Sequence, residues 1–136
     1  MKVLVDTCVW SKALRRKKIA DDPFVNELRV LIEEIRVQMI GPIRQELLSG
    51  IRSQSQFENV RNHLRAFPDL ELTTSDYERA VELFDTSLRK GIQGSNTDFL
   101  ICAVSEQHDM PILTTDQDFT LFQHHIPLKL HAPRVK

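Results

Sequence analysis

Five acidic residues in this 136-residue chain fall in four places where a fold can bring them together. Asp6 ends the apolar run Val3-Leu4-Val5. Glu46 lies in Pro42-Ile43-Arg44-Gln45-Glu46-Leu47. Asp98 opens the apolar segment Phe99 to Val104, and Asp116 and Asp118 follow Ile112-Leu113-Thr114-Thr115. A carboxylate directly after a buried strand sits at that strand's carboxyl end, the edge where open α/β sheets bind ligands. Carboxylates gathered there repel one another unless a cation lies between them. Oxygen-only ligands point to a hard divalent ion such as Mg²⁺ or Mn²⁺, whose chemistry suits phosphodiester cleavage.

The elements that would position these acids are legible as alternating patterns. Val3-Leu4-Val5 has the composition of a buried parallel strand, and Thr7 to Leu14 is expected to turn into a helix. Asp21-Asp22-Pro23 signals a second helix, with Phe24, Leu28, Leu31, Ile32 and Ile35 at helical spacing. Val37 to Ile40 predicts a second strand, and Ile43 to Ile51 a helix carrying Glu46. Phe57, Val60, Leu64 and Phe67 mark another helix. Leu70 to Thr73 predicts a short strand or extended link. Ser75 is expected to cap a strong helix with Tyr77, Ala80, Val81, Phe84 and Leu88 on its packed face. Asp98 to Gln107 predicts a helix, Pro111 to Thr114 a third strand, Phe119 to Gln123 a helical turn, and Leu128 to Leu130 a last strand. Strands separated by helices imply a single α/β domain over residues 1–136, a three-layer α/β/α sandwich on a mostly parallel central sheet.

Composition narrows the class. Apolar and charged fractions of 41% and 27% belong to an ordinary globular protein, so a disordered or fibrous chain is excluded. No stretch is long and apolar enough to span a membrane, and the first residues lack a signal-peptide layout. Cys8 and Cys102 are too few for a disulfide framework and read as small core residues in a reducing compartment, which implies the cytoplasm. A net charge of −1 gives no global field for nucleic acid, so any RNA contact must be local. The run Arg15-Arg16-Lys17-Lys18 reads as a solvated face or as a guide for a phosphate backbone. His124-His125 has no further His or Cys at ligand spacing and reads as surface, and Trp10 reads as core or dimer interface. No Gly-rich phosphate loop and no Ser-His-Asp or Cys-His pattern is present.

Four segments in order resemble the PIN-domain ribonucleases, and within them the VapC-type toxins of toxin–antitoxin pairs. They are Val3-Leu4-Val5-Asp6-Thr7, Gln45-Glu46-Leu47, Asn96-Thr97-Asp98-Phe99 and Thr114-Thr115-Asp116-Gln117-Asp118-Phe119. Cys8 departs from the Ser or Asn common after the first motif. The resemblance covers nearly the whole chain. It implies Mg²⁺- or Mn²⁺-dependent cleavage of RNA, a homodimer, and a small antitoxin protein that blocks the site. It implies Asp6, Glu46, Asp98 and Asp116 as catalytic residues.

On this reading Asp6 and Asp98 bind metal directly, and Asp116, Glu46 and Asp118 complete the shell or hold a second ion. Asp118 has the alternative of capping the turn before Phe119. Asp98 could itself be a helix cap, although Asn96 and Thr97 stand ready to cap instead and leave it free. Thr7, Asn96 and Thr114 are candidates for holding a carboxylate or a phosphate oxygen, and Thr7 and Thr114 could equally bond backbone. Two rival functions remain at this point: another Mg²⁺-dependent phosphotransfer enzyme built on Asp116-x-Asp118, and a PIN-like scaffold that binds RNA or protein without cutting.

Overall fold

The computed structural model describes residues 1–15 and 22–134. Asp21 and most of the basic run, Arg16 to Lys18, lie outside the described residues. The chain orders as β1 (Val3–Val5), α1 (Thr7–Leu14), α2 (Pro23–Glu33), β2 (Val37–Gln38), α3 (Gly41–Leu48), α4 (Gln54–Leu64), α5 (Thr74–Arg89), α6 (Asn96–His108), β3 (Ile112–Leu113) and α7 (Asp118–Phe122). The three strands form one parallel sheet in the order β2-β1-β3, with Val3 opposite Val37 and Val5 opposite Leu113. Every strand residue of β1 is fully buried, as a central strand covered on both faces requires. The sheet flanked by helices is the expected α/β sandwich. Among the described residues no helix is long and apolar enough to cross a membrane.

The parallel sheet puts the strand carboxyl ends on one edge. Asp6 follows β1 there, Thr114 follows β3, and Ile40 after β2 starts α3. Arg44 on α3 donates to Leu64 O (3.0 Å), to Phe67 O and to Asp69 Oδ1 (3.0 Å). These bonds satisfy carbonyls at the carboxyl end of α4 and lock α3 in place.

Several boundaries differ from the expected ones. The second and third strands are shorter than their apolar runs. Leu130 contributes only a parallel bridge to Ile112, and the link after α4 only a bridge between Met39 and Asp69. Ile35 is not part of the packed stripe of α2; it leaves the helix with φ 57° and is largely exposed. A left-handed residue lets the chain reverse into β2, although a β-branched side chain is strained there.

Helix α5 differs most. Thr73, not Ser75, caps it: Asp76 N donates to the Thr73 hydroxyl (3.3 Å) and Thr73 N to Asp76 Oδ2 (3.0 Å). The expected packed face is only half covered: Ala80 and Phe84 pack against the core, Phe84 edge-on to Phe99 with ring centroids 5.6 Å apart, whereas Tyr77, Val81 and Leu88 are exposed, Val81 by 59%. Polar ties set the rotation of the helix. Buried Asp76 accepts from Gln107 Nε2 at 2.6 Å and lies 3.1 Å from His108 Nε2, and buried Ser87 bonds His125 Nε2 at 2.9 Å. His125 is therefore a structural partner rather than a free surface group. Trp10 is core, edge-on to Phe67 with ring centroids 5.1 Å apart.

The carboxyl-terminal segment is pinned by buried Glu27 and by Glu34, to which Arg134 Nη1 donates at 2.8 Å. Glu27 on α2 is 2% exposed. His131 Nε2 lies 2.6 Å from its Oε2, and Arg134 donates to it from the backbone (3.0 Å) and from Nη2 (2.9 Å). Burial opposes the charge, but the bonds from Arg134 and His131 outweigh it and lower the Glu27 carboxyl from 4.5 to about 2. Its contribution to stability is therefore present above pH 4.5 and is lost as pH falls toward about 2. Urea denaturation across this range should show wild type losing stability that Glu27→Gln lacks from the start. Parallel pH profiles for the two proteins would refute the pin.

Candidate active site

The site is built around Asp6. This carboxylate is 7% exposed and begins α1 as its cap, with Oδ1 accepting from Thr7 N at 2.8 Å. Thr114, just past β3, donates its hydroxyl to Asp6 Oδ2 at 2.8 Å. The Cys8 thiol lies 3.5 Å from the same oxygen and 3.4 Å from the Thr114 hydroxyl, and accepts from Thr115 N at 3.4 Å. Burial raises the Asp6 pKa above its usual 3.8; bonds from Thr114, Thr7 and Cys8 oppose the rise, and the charge of Asp98 adds to it.

Asp98 reaches this edge from the first turn of α6. It is also part of a capping box: Asp98 N donates to the Ser95 hydroxyl and Ser95 N to Asp98 Oδ2, both at 3.0 Å. The expectation that Asn96 and Thr97 cap, leaving Asp98 free, is thus corrected. Ser95-x-x-Asp98 has the spacing of a capping box, which explains the choice. Asn96 is an exposed first residue of α6 and makes no bond to the acids among the described residues. Gly94 precedes the cap because a Cβ there would lie 2.9 Å from the rings of Phe122 and Phe99, so the core fixes where α6 begins. Below Asp98, buried Cys102 has its thiol pKa pushed up by burial and by the charges of Asp98, Asp6 and Glu106. It is the inert core residue expected.

The remaining acids are tied in by threonines. Thr7 donates to Glu46 Oε1 at 2.8 Å, linking α1 to α3. Asp116 N donates to the Thr114 hydroxyl at 3.0 Å, so one threonine joins Asp6 to the Asp116 backbone. Asp116 Oδ1 in turn accepts from Asp118 N at 2.9 Å. Asp116 thus supports the turn into α7; Asp118 is the exposed first residue of that helix, and its cap residue Gln117 makes no side-chain cap bond among the described residues. Thr7 and Thr114 therefore bond side chains across the edge.

Two further residues, Cys8 and Ser95, belong to this site. Cys8 packs half-buried against the core, as its sequence context predicts, and also touches Asp6 and Thr114; its place two residues after Asp6, on the first turn of α1, is the signal for the first of these contacts. Ser95 has no role in the sequence reading, although its three-residue spacing from Asp98 marks a cap.

The donor chemistry fits a hard divalent cation: the acids are carboxylates, and Asp6 is a buried charge raised by burial and by a second acid. The acids are not drawn into a finished cage. Among the described residues no three His, Cys, Asp or Glu side chains are placed to hold an ion. Thr7 and Ser95 instead hold Glu46 and Asp98 on separate elements around Asp6.

Removing one like charge should relieve this edge. In thermal melts without divalent ions, Asp98→Asn should unfold at or above the wild-type temperature, because an amide oxygen can still accept from Ser95 N. Ser95→Ala should melt lower, by about 1 kcal/mol of stability. An Asp98→Asn protein that unfolds at 25 °C would show that Asp98 serves only as a cap.

The chain matches the PIN domain family over residues 3–124. It is 28% identical over 120 residues to VapC ribonuclease Mb1587 of Mycobacterium bovis and to Ribonuclease VapC11 of Mycobacterium tuberculosis, covering 86% of this chain and 88% of each relative. In fold it is similar to FitAcB from Neisseria gonorrhoeae, with TM-score 0.77, 19% identity, and coverage of 96% of this chain and 97% of that one. It is equally similar to VapBC2 from Rickettsia felis, solved with a DNA fragment from its promoter, with TM-score 0.77, 18% identity, and 96% and 98% coverage. The resemblance carried by the four motifs thus holds along the chain, which belongs to the PIN-domain family.

Proposed function

We propose that this protein is a metal-dependent endoribonuclease and the toxin of a toxin–antitoxin pair, acting in the cytoplasm. The observation that carries the reading is the buried Asp6 carboxylate, bonded through Thr114 to the Asp116 turn, its pKa raised by burial and further by the charge of Asp98. The VapC ribonucleases it resembles in sequence support the same reading.

Asp6 and Asp98 would hold a Mg²⁺ or Mn²⁺ ion, with Asp116, Glu46 and Asp118 around it. A bound ion of this kind supplies Lewis acidity toward a phosphate oxygen and a water of lowered pKa. The chain's own residues prepare for that. Thr7 N and the Thr114 hydroxyl orient the two oxygens of Asp6, and their bonds favour its charged form. Thr7 also holds Glu46 toward the same edge. Burial keeps water from screening these charges, so each interaction at Asp6 acts more strongly than on an open surface.

Two partners belong to the proposal. The solved relatives include a VapBC complex and a toxin–antitoxin complex from Klebsiella pneumoniae, and an antitoxin here would meet the acids with Arg or Lys. A second copy of this chain would cover the exposed apolar residues Tyr77, Val81 and Leu88 of α5.

Purified protein should cut RNA when Mg²⁺ or Mn²⁺ is present and stop when EDTA is added. Asp6→Asn should lower the rate at least about a hundredfold, the scale of losing a charge that acts in the transition state. Cleavage that survives both EDTA and Asp6→Asn would overturn the metal mechanism. RNA bound but never cut by wild type would favour the scaffold reading.

A further inference from the structure

Beside the acids lies a cleft of about 390 Å³ that their role does not account for. It shares Thr114, Thr115 and Asp116 with the candidate active site, so anything seated in it lies against that site. One side carries Lys12 of α1 and Phe24 of α2. Another carries Gln117 and Thr120 around the start of α7, and the third is the extended segment through His131 and Pro133. We propose that this cleft seats one unpaired nucleotide of RNA beside the scissile phosphate and sets which base is accepted there; the proposal rests on the ribonuclease reading above.

The chemistry of the walls matches a nucleotide. Lys12 supplies a cation beside a set of acids, which suits a phosphate. It is one-third exposed and only loosely engaged, 3.4 Å from Asp22. Phe24 and Pro133 give flat apolar surface on which a base can stack. Gln117 is exposed and its amide offers both a donor and an acceptor for a base edge. The volume lies in the range of small-molecule sites, about 300–1,000 Å³. It admits one splayed base rather than a stacked duplex, and sequence-specific RNA recognition works on such unstacked bases.

The cleft is also built to persist. Its far wall is not a loose tail: Leu130 bridges to Ile112, His131 lies 2.6 Å from buried Glu27, and Arg134 grips the same acid. The Thr120 hydroxyl donates to Gln117 O at 2.6 Å, which fixes the opposite wall. A preformed pocket loses less on ordering its ligand, so differences between bases are expressed as differences in affinity.

The test uses short single-stranded RNAs that differ only in the bases flanking the cleaved bond, cut in Mn²⁺ and bound without cutting in EDTA. Ala132→Trp fills the cleft from an exposed position in its wall, and Gln117→Ala removes only the amide. Neither residue is among the proposed catalytic acids, and circular dichroism melts check that both variants fold. Wild type should prefer one base at one flanking position. Ala132→Trp should weaken RNA binding roughly tenfold, the scale of losing one stacked base, and flatten that preference. Gln117→Ala should change the preference while cleavage still needs metal. Folded variants with wild-type affinity and wild-type preference would overturn the cleft assignment, as would weaker binding with the preference unchanged. Wild type that binds RNA through the cleft but never cuts would keep the cleft and refute the ribonuclease reading. Wild type that neither binds nor cuts RNA would refute both.

Discussion

A carboxylate buried at the end of the central strand is the constraint around which this protein is arranged. Asp6 cannot avoid the interior, because β1 is covered on both faces and the chain turns into α1 at once. Burial favours its neutral form, and Asp98 makes the charge harder still to hold. The fold answers with three donors, Thr7 N, the Thr114 hydroxyl and the Cys8 thiol, drawn from two segments more than a hundred residues apart in sequence. Those donors lower the cost without removing it. What is left, on the proposed reading, is an edge that a bound cation would stabilise.

The same bonds explain why the acids stand where they do. Thr114 serves both Asp6 and the backbone of Asp116, so the end of β3 cannot shift without disturbing both. Asp98 is fixed by its cap with Ser95, and that cap is fixed by Gly94 wedged against Phe99 and Phe122. Glu46 depends on α3, which Arg44 fastens to the end of α4. Each acid is thus positioned by ordinary elements of stability: a cap, a close contact, a satisfied carbonyl.

Much of this was legible in the residues. Strict apolar runs ending in Asp6 and before Thr114 reveal two strand ends, and parallel topology then places them on one edge. The capping role of Asp98 was legible too, but only by weighing Ser95 against Asn96 and Thr97, since all three can cap. The rotation of α5 was not legible. Its apolar stripe argues for a packed face through Tyr77, Ala80, Val81, Phe84 and Leu88, yet with Asp76 and Ser87 bonded on the inner side only Ala80 and Phe84 of that stripe pack against the core. Periodicity reports that a helix has an apolar side; it does not say what covers that side. The bonds of Cys8 were hidden for a related reason, because Thr114 and Thr115 are distant in sequence.

Whether the buried Asp6 charge serves a metal can be read from Mn²⁺ binding, by electron paramagnetic resonance of the ion with the purified, partner-free protein. Wild type should take up Mn²⁺ and melt at a higher temperature with it, whereas Asp6→Asn and Asp98→Asn should show neither effect. Wild type that leaves Mn²⁺ free in solution, or an Asp6→Asn protein that binds it as well as wild type does, would contradict the view that this buried charge is kept for a metal.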